Sequence, residues 1–153
     1  MAAGVRRRAR AYGLQILYAL DVNEGGDPAR AVADYWELFE LELDPPSLEF
    51  AGRLVVTTRA RLAEIDDAIQ SASRNWRLDR MSRVDRNILR LATCELRHSP
   101  DVPVKVVINE AVELAKRFGT ADSPAFVNGI LDRIAHQLRR ADGAGDGETG
   151  EEP

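Results

Sequence analysis

Apolar residues recur along this chain with the period of an α-helix. Between Val5 and Val22 they fall on one side of a helix with 3.6 residues per turn, and the segment 23–26 (Asn-Glu-Gly-Gly) supplies a stop signal. The residues on this side are Ala9, Ile16, Leu17 and Leu20. The pattern therefore predicts a first helix that buries one face.

Helix start signals open the next two segments. Asp27 followed by Pro28 is typical of a helix N-terminus, because aspartate can cap free N–H groups and proline needs no N–H donor in the first turn. The apolar face of this second helix is Val32, Tyr35, Trp36 and Phe39. After the prolines at 45 and 46, Ser47 can cap a helical stretch that reaches Ile69. We expect this stretch to form two helices that break near Ala63.

Three more helices are predicted in the second half of the chain. Ser82 and Asp85 resemble a capping box at the start of the fifth helix. Pro103 starts the clearest apolar periodicity in the chain and Gly119 ends it, although the β-branched residues after Pro103 leave a strand open there. Ser123, followed by proline, opens the last helix. The sequence therefore predicts an all-α protein of about seven helices.

Composition predicts one folded domain at residues 1–140. Hydrophobic residues make up 44% and charged residues 30% of the 153 positions, which excludes wholesale disorder. No apolar run approaches the roughly 20 residues that cross a bilayer, and the lone Cys94 cannot form an internal disulfide, so we expect a cytoplasmic protein without membrane contact. The glycine-rich acidic segment 141–153 has little to bury and is predicted to be a disordered tail.

Charge is unevenly distributed along the chain. The net charge is −4, but the first ten residues contain four arginines and no acid. The last thirteen residues contain five acids and no base, and removing those acids changes the net charge from −4 to +1. The stretch Ser73–Met81 is also dense in arginine and contains Trp76. A basic surface is therefore compatible with an acidic protein, because charge acts locally over about a Debye length.

Catalytic and metal-binding signatures are missing from the sequence. Its two histidines, His98 and His136, have no cysteine or carboxylate at metal-ligand spacing. The chain also lacks a glycine-rich phosphate loop, a nucleophile elbow and a framed carboxylate pair. We therefore expect no enzyme activity, no metal and no cofactor.

Basic and aromatic residues point instead toward RNA. Arg7, Ala11, Leu14 and Tyr18 follow one strip of the first helix, which places a guanidinium and a phenol ring on the same side. Arginines at a helix start oppose the helix dipole, and an anionic ligand would relieve that cost. Phe126 falls off the apolar stripe of the last helix and can present its ring outward. Two structural alternatives stay open: a solvated basic end with Tyr18 packed at its edge, and Phe126 as a plug between the last two helices.

Three motifs resemble the NusB family of transcription antitermination factors. The first is RRRAR at 6–10 with LQILY at 14–18, the second VPVK at 102–105 with INEAVELAKRFG at 108–119, and the third FVNGIL at 126–131. They occur in the order and spacing of that family, across roughly residues 6–138. The resemblance implies an all-α fold of about seven helices in two small bundles.

The resemblance also implies a function and a set of contacts. NusB proteins bind the boxA element of nascent RNA together with NusE, a small-subunit ribosomal protein, and the complex joins the elongating RNA polymerase, chiefly on ribosomal RNA operons. The residues implied at the RNA surface are Arg6, Arg7, Arg8, Arg10, Tyr18, Asp122 and Phe126. The implied NusE surface lies on the fifth helix, with Asp85 and Arg86 as candidates.

Two other readings remain. The first is that this chain is a helical RNA-binding module like the one that precedes the catalytic domain of ribosomal RNA cytosine methyltransferases. Such an enzyme needs a methyl-donor-binding domain downstream of the module. Alternatively, the protein is a purely structural helical module that associates with itself. A homodimer that hides the basic face is a related expectation.

Overall fold

A computed structural model describes residues 3–23, 26–39 and 44–150, and side chains within these ranges except at 3, 5, 36–39 and 141–150. These ranges contain seven α-helices, a 3₁₀ turn at Leu78–Arg80 and no strand, so the all-α prediction is confirmed. The helices are α1 Ala3–Val22, α2 Pro28–Phe39, α3 Pro45–Ala60, α4 Leu62–Ala72, α5 Arg83–His98, α6 Val104–Phe118 and α7 Ser123–Gly150. No helix in the described part of the chain is both long enough and apolar enough to span a membrane.

Local capping explains where several helices begin. The Ser82 hydroxyl accepts a hydrogen bond from the Asp85 N–H at 3.1 Å, as the predicted capping box requires. The predicted cap at Ser47 was wrong: Asp44 caps α3 by accepting from the Ser47 N–H at 3.1 Å, and Ser47 lies buried in the first turn. Aspartate can take this position because the two prolines that follow it have no N–H to satisfy.

The break between α3 and α4 lies at Arg61, close to the position predicted from the sequence. The β-branched run after Pro103 is helical, and α6 ends at Gly119. The apolar face predicted for α1 is buried. The periodicity of the last helix predicts an apolar face that is also buried, except that Leu138 is only partly covered. This face consists of Val127, Ile130, Leu131, Ile134 and Leu138. On α2, Val32 and Tyr35 pack against the core, whereas the side chains of Trp36 and Phe39 lie outside the described residues.

Helix α5 joins two groups of helices. Helices α1, α2 and α3 pack on one another, α4, α6 and α7 form the second group, and α5 contacts members of both. One continuous apolar core runs through both groups. The two small bundles implied by the family resemblance are present.

Helix directions bring several helix ends together. Arg10 of α1 bonds to Glu95 near the end of α5, and Asp21 of α1 bonds to Arg86 at its start, so α1 and α5 are antiparallel. The loop that precedes α5 contacts both Arg86 and Phe126, which lies near the start of α7. The last turn of α1 and the first turns of α5 and α7 therefore lie at one end of the molecule, called here the Asp21 end.

Helix α7 ends at Gly150, within the segment predicted to be a tail. The disorder predicted for residues 141–153 stays a prediction. Residues 151–153 of the predicted tail lie outside the described residues.

Candidate nucleic-acid interface

Arg10 is a core residue and not part of an exterior basic patch. It is 3% exposed, and its Nε and Nη2 atoms donate to the two carboxylate oxygens of buried Glu95 at 2.7 and 2.9 Å. A buried guanidinium requires such a bidentate partner, because an unpaired charge there would be strongly disfavoured. The expectation that Arg10 engages RNA is therefore corrected: its role is structural.

Arg7 is exposed and held in one orientation. Its side chain is 57% exposed, and its Nε and Nη2 atoms donate to the Glu110 carboxylate of α6 at 2.9 and 3.0 Å. The hydrogen bond and the negative charge of Glu110 raise the pKa of Arg7. Arginine carries five N–H donors, so three remain available to a phosphate while Glu110 fixes the guanidinium plane.

Arg6 and Arg8 occupy the same turn of α1 in different surroundings. The Arg6 guanidinium carbon lies 5.4 Å from the centre of the Phe50 ring, in cation–π geometry. Its Nε atom is shielded from solvent and has no hydrogen-bond partner among the described residues. Arg8 is exposed. The cationic surface at the start of α1 therefore consists of Arg6, Arg7 and Arg8.

The strip from Arg7 to Tyr18 is exposed only at its ends. Ala11 and Leu14, which lie between them, are each 3% exposed, whereas Tyr18 is 41% exposed. At 1.5 Å per residue, Tyr18 stands about 16 Å further along the helix axis than Arg7. This places Tyr18 at the Asp21 end, where α7 also starts.

Asp122 immediately precedes α7, and Phe126 lies in its first turn. Asp122 is exposed, and its carbonyl accepts a hydrogen bond from the Phe126 N–H at 3.2 Å. Phe126 is half-buried and packs against the core, and its ring meets Trp76 edge-to-face with centroids 6.2 Å apart. Phe126 is therefore partly covered by the core and partly exposed, and this burial decides between neither of the two sequence readings. Trp76, 59% exposed, was noted in the sequence without a role.

The two candidate partner residues on α5 differ in how accessible they are. Arg86 is 12% exposed, and it donates to Asp21 at 2.6 and 3.2 Å and to the Leu78 carbonyl at 3.3 Å. Its guanidinium links α1 to α5. The expectation that Arg86 faces NusE is therefore corrected, because Arg86 stabilises the contact between these two helices. Asp85 is half-buried, and its Oδ1 has no hydrogen-bond partner among the described residues.

Asp21 has a lowered pKa although it is partly buried. Burial alone would raise this pKa, but hydrogen bonds from Arg86 and Asn87, together with the charges of Arg86 and Arg90, outweigh that effect. In the described part of the chain no three or more His, Cys, Asp or Glu side chains are grouped as a metal site would need. Cys94 is buried, and burial raises the pKa of its thiol.

Comparison with known proteins identifies the family. The model of the NusB family matches residues 7–136. The chain belongs to the NusB family. It is 49% identical over 139 residues to the transcription antitermination protein NusB of Sorangium cellulosum, covering 91% of this chain and 97% of that protein. Identity to the Myxococcus xanthus protein of the same name is 48% over 139 residues, covering 90% and 99%.

Solved NusB structures share the fold. NusB from T. maritima superposes with a TM-score of 0.78 at 41% identity, covering 86% of this chain and 90% of that one. A crystal structure of the antitermination factors NusB and NusE in complex with dsRNA contains a chain with a TM-score of 0.79 at 28% identity, covering 89% and 99%. The predicted family is confirmed. Its members are named as antitermination factors, regulatory proteins and not enzymes, as the sequence predicted.

Proposed function

We propose that this NusB protein binds boxA-type single-stranded RNA together with NusE, joins the elongating RNA polymerase in the cytoplasm and prevents premature termination, chiefly on ribosomal RNA operons. Family membership gives the general role, transcription antitermination. The observation that carries the RNA part is the surface formed by Arg6, Arg7 and Arg8 at the start of α1 and by Tyr18 at its end. The related NusB and NusE complex contains RNA, which supports both partners.

Aromatic side chains favour an unpaired strand as the ligand. The related complex is described with dsRNA, but a ring stacks only on a base that has left its pair. Tyr18 presents such a ring, and each stacked base contributes roughly 1–3 kcal/mol. In our proposal phosphates bind the arginines and bases reach Tyr18 and the exposed edge of Phe126.

Asp122 contributes selectivity in this proposal. Its exposed carboxylate lies one turn before Phe126 and repels phosphate. A contribution to RNA affinity therefore does not explain an aspartate at this position. A carboxylate can accept hydrogen bonds from the amino and imino groups of an unpaired base, which depend on base identity. We therefore assign Asp122 to base recognition.

Asp85 is the residue on α5 that we propose for contact with NusE. Its Oδ1 accepts no hydrogen bond from the described residues, although the atom is shielded from solvent. A buried acceptor without a donor is unfavourable, and a donor from a partner would satisfy it. Arg86 would support this contact indirectly, by fixing the start of α5 against Asp21.

A binding experiment tests the proposal. The affinity of a boxA-like single strand and of a scrambled strand would be measured with and without NusE. We expect weak binding by the protein alone and sequence-selective strengthening with NusE. Equal affinity for both strands under every condition would contradict the antitermination role.

Tyr18 provides a variant that leaves the core intact. Because Tyr18 is 41% exposed and lies outside the buried core, Tyr18→Ala should weaken RNA binding by about 1–3 kcal/mol without unfolding the protein. Arg61→Gln is the matched surface control, since Arg61 is exposed at the break between α3 and α4. The same loss in both variants would argue against a specific role for Tyr18.

A further inference from the structure

An aromatic and basic cavity lies beside Phe126, in addition to the surface formed by Arg6, Arg7, Arg8 and Tyr18. It has a volume of about 190 Å³ and opens between the loop that follows α4 and the first half of α7. Trp76 and Phe126 form its aromatic side, Arg74 and Arg133 its basic side, and Gly129 part of its floor. The loop belongs to the arginine-dense stretch Ser73–Met81.

The backbone at Trp76 is held in place by hydrogen bonds although the residue is exposed. Its carbonyl accepts hydrogen bonds from Gln70 Nε2 at 2.9 Å and from the Ser73 hydroxyl at 3.1 Å. Gln70 Nε2 also donates to the Ser73 carbonyl, and Gln70 Oε1 accepts from the Leu78 N–H at 2.9 Å. An indole that stays 59% exposed adds little hydrophobic stabilisation, so folding alone does not explain why the loop is fixed around it. An exposed ring on a fixed backbone, in edge-to-face contact with Phe126, is suited to stack on a base.

The charges beside Trp76 favour an anion. Arg133 donates from Nη1 to the Ala72 carbonyl at 3.0 Å, which anchors the side chain and leaves other donors for a ligand. Arg74 is exposed. Within the described ranges neither arginine has a carboxylate within ion-pair distance, in contrast to Arg7 and Arg10. Two cations without a carboxylate beside an aromatic ring suit a nucleotide, which carries both a base and a phosphate.

Gly129 keeps the cavity open. A Cβ atom added at this position would meet nothing within 4 Å, so the space above α7 is empty. Cavities of about 150 Å³ admit a benzene ring, and the volume here is therefore sufficient for a pyrimidine base. Glycine inside a helix lowers stability by roughly 0.5–1 kcal/mol relative to alanine. Helix stability therefore does not explain why position 129 is a glycine.

We propose that this cavity binds one unpaired RNA base against Trp76, with an adjacent phosphate on Arg74 and Arg133. The proposal rests on the proposed function, and it extends the RNA path from Asp122 and Phe126 across the start of α7. Phe126 separates the two parts of the path, with its ring edge-to-face to Trp76. Charge complementarity and continuity with the proposed RNA surface favour RNA over a protein segment.

A size series at Gly129 tests the cavity directly. Gly129→Ala adds one carbon into open space and should weaken RNA binding only slightly, whereas Gly129→Leu fills the cavity and should weaken it more. If one stacked base is lost, Gly129→Leu should weaken binding of the boxA-like strand roughly 5-fold to 150-fold. Both substitutions improve helix propensity, so the midpoint of thermal unfolding should not fall. Loss of affinity without loss of stability would separate the ligand effect from a folding effect.

Trp76→Ala and Arg74→Gln give an independent test that does not depend on how Gly129→Leu folds. Trp76→Ala should weaken RNA binding over the same range, and Arg74→Gln should also weaken it. The matched control is Arg77→Gln, because Arg77 adjoins Trp76 in sequence but pairs with Asp79 and does not line the cavity. Its RNA affinity should stay close to that of the unchanged protein.

The outcomes separate this inference from the proposed function. If the unchanged protein shows no selective RNA binding even with NusE, the proposed function fails and this inference fails with it. If RNA binds and Tyr18→Ala weakens it, but Trp76→Ala and Gly129→Leu do not, only the cavity proposal is overturned. If Trp76→Ala weakens NusE binding in the absence of RNA and leaves RNA affinity unchanged, the cavity is a protein-binding site, which also overturns the proposal.

Discussion

Among single residues, the four arginines of the first ten positions show how strongly surroundings change the role of one residue type. Arg10 is enclosed with Glu95, and Arg7 is fixed by Glu110 but open to solvent. Both pairs are bidentate, yet their contributions to stability differ. An exposed pair is screened by water and is worth little, whereas a buried charge that loses its partner is strongly destabilising.

We expect Glu95→Ala to lower the free energy of unfolding by about 3–5 kcal/mol, because it leaves the Arg10 guanidinium buried without a carboxylate. Urea unfolding at pH 7 would measure this change. Asp79→Ala is the control: it removes an exposed pair with Arg77 and should cost less than about 1 kcal/mol. Similar small losses in both variants would mean that Arg10 is not buried in solution.

Asp21 makes stability depend on pH. Its pKa is lower in the folded protein than in the unfolded chain. An aspartate in an unfolded chain has a pKa of about 3.9. The folded state therefore binds the proton less readily, and the stabilisation is present above about pH 4 and is lost as pH falls through the lowered pKa. Protonation removes the charge that Arg86 and Asn87 bind.

Asp21→Asn should remove this contribution at neutral pH, so it should destabilise the protein more at pH 7 than at about pH 3. Unfolding free energies of both proteins across this range would measure the difference. Asp67→Asn is a suitable comparison, because Asp67 is exposed on α4. A loss for Asp21→Asn that is the same at every pH would contradict the charge-based explanation.

At the level of helices, the sequence predicted the helix starts and ends that depend on residues a few positions away. The Ser82 cap depends on a residue three positions away, and the end of α6 at Gly119 follows from one glycine. The error at Ser47 was also local, since Asp44 and Ser47 are both good caps and the choice depends on the prolines between them.

Long-range contacts could not be predicted from helical periodicity. Arg10 and Glu95 are 85 positions apart, and no pattern in α1 distinguishes Arg10 from Arg7 as the buried arginine. The family resemblance implied Tyr18, Asp122 and Phe126, but the contact between Phe126 and Trp76 depends on how α7 packs near the end of α4. The sequence therefore indicated an RNA-binding surface, whereas the cavity beside Phe126 required the fold.

The junction of α6 and α7 allows a prediction about one helix end. A Cβ atom added at Gly119 would lie 2.8 Å from the Ala115 carbonyl oxygen and would clash with the Ser123 side chain. The Ser123 hydroxyl accepts from the Thr120 N–H at 2.9 Å, so this turn has little freedom to move. Gly119→Ala should therefore lower the free energy of unfolding by about 1–3 kcal/mol.

Thermal or urea unfolding of Gly119→Ala beside Gly129→Ala would test this steric argument. The two substitutions are chemically identical, but Gly129 faces open space, and its replacement should stabilise the protein by roughly 0.5–1 kcal/mol. Opposite signs are expected. A stabilising effect at Gly119 would show that the turn relaxes without cost.

For the molecule as a whole, the net charge of −4 gives a poor description of what an RNA strand would meet. Arg6, Arg7 and Arg8 lie together at the start of α1, and screening at physiological salt confines the influence of distant acids to about 8 Å. Local cations therefore determine the salt dependence of binding. The burial of Arg10 reduces the number of cations in this group from four to three.

This count leads to a quantitative prediction. Single-stranded nucleic acids give a slope of log affinity against log salt of about −0.7 for each phosphate contact, so three contacts at the start of α1 contribute about −2, and a fourth from Arg10 would have brought this to about −3. Arg7→Gln should reduce the magnitude of the measured slope by about 0.7, because one contact is lost, and Arg61→Gln should leave it unchanged. Fluorescence anisotropy of a labelled boxA-like strand over a series of potassium chloride concentrations would supply the slopes. An unchanged slope for Arg7→Gln would show that Glu110 keeps the Arg7 guanidinium from the phosphates, and the RNA path would then have to avoid this end of α1.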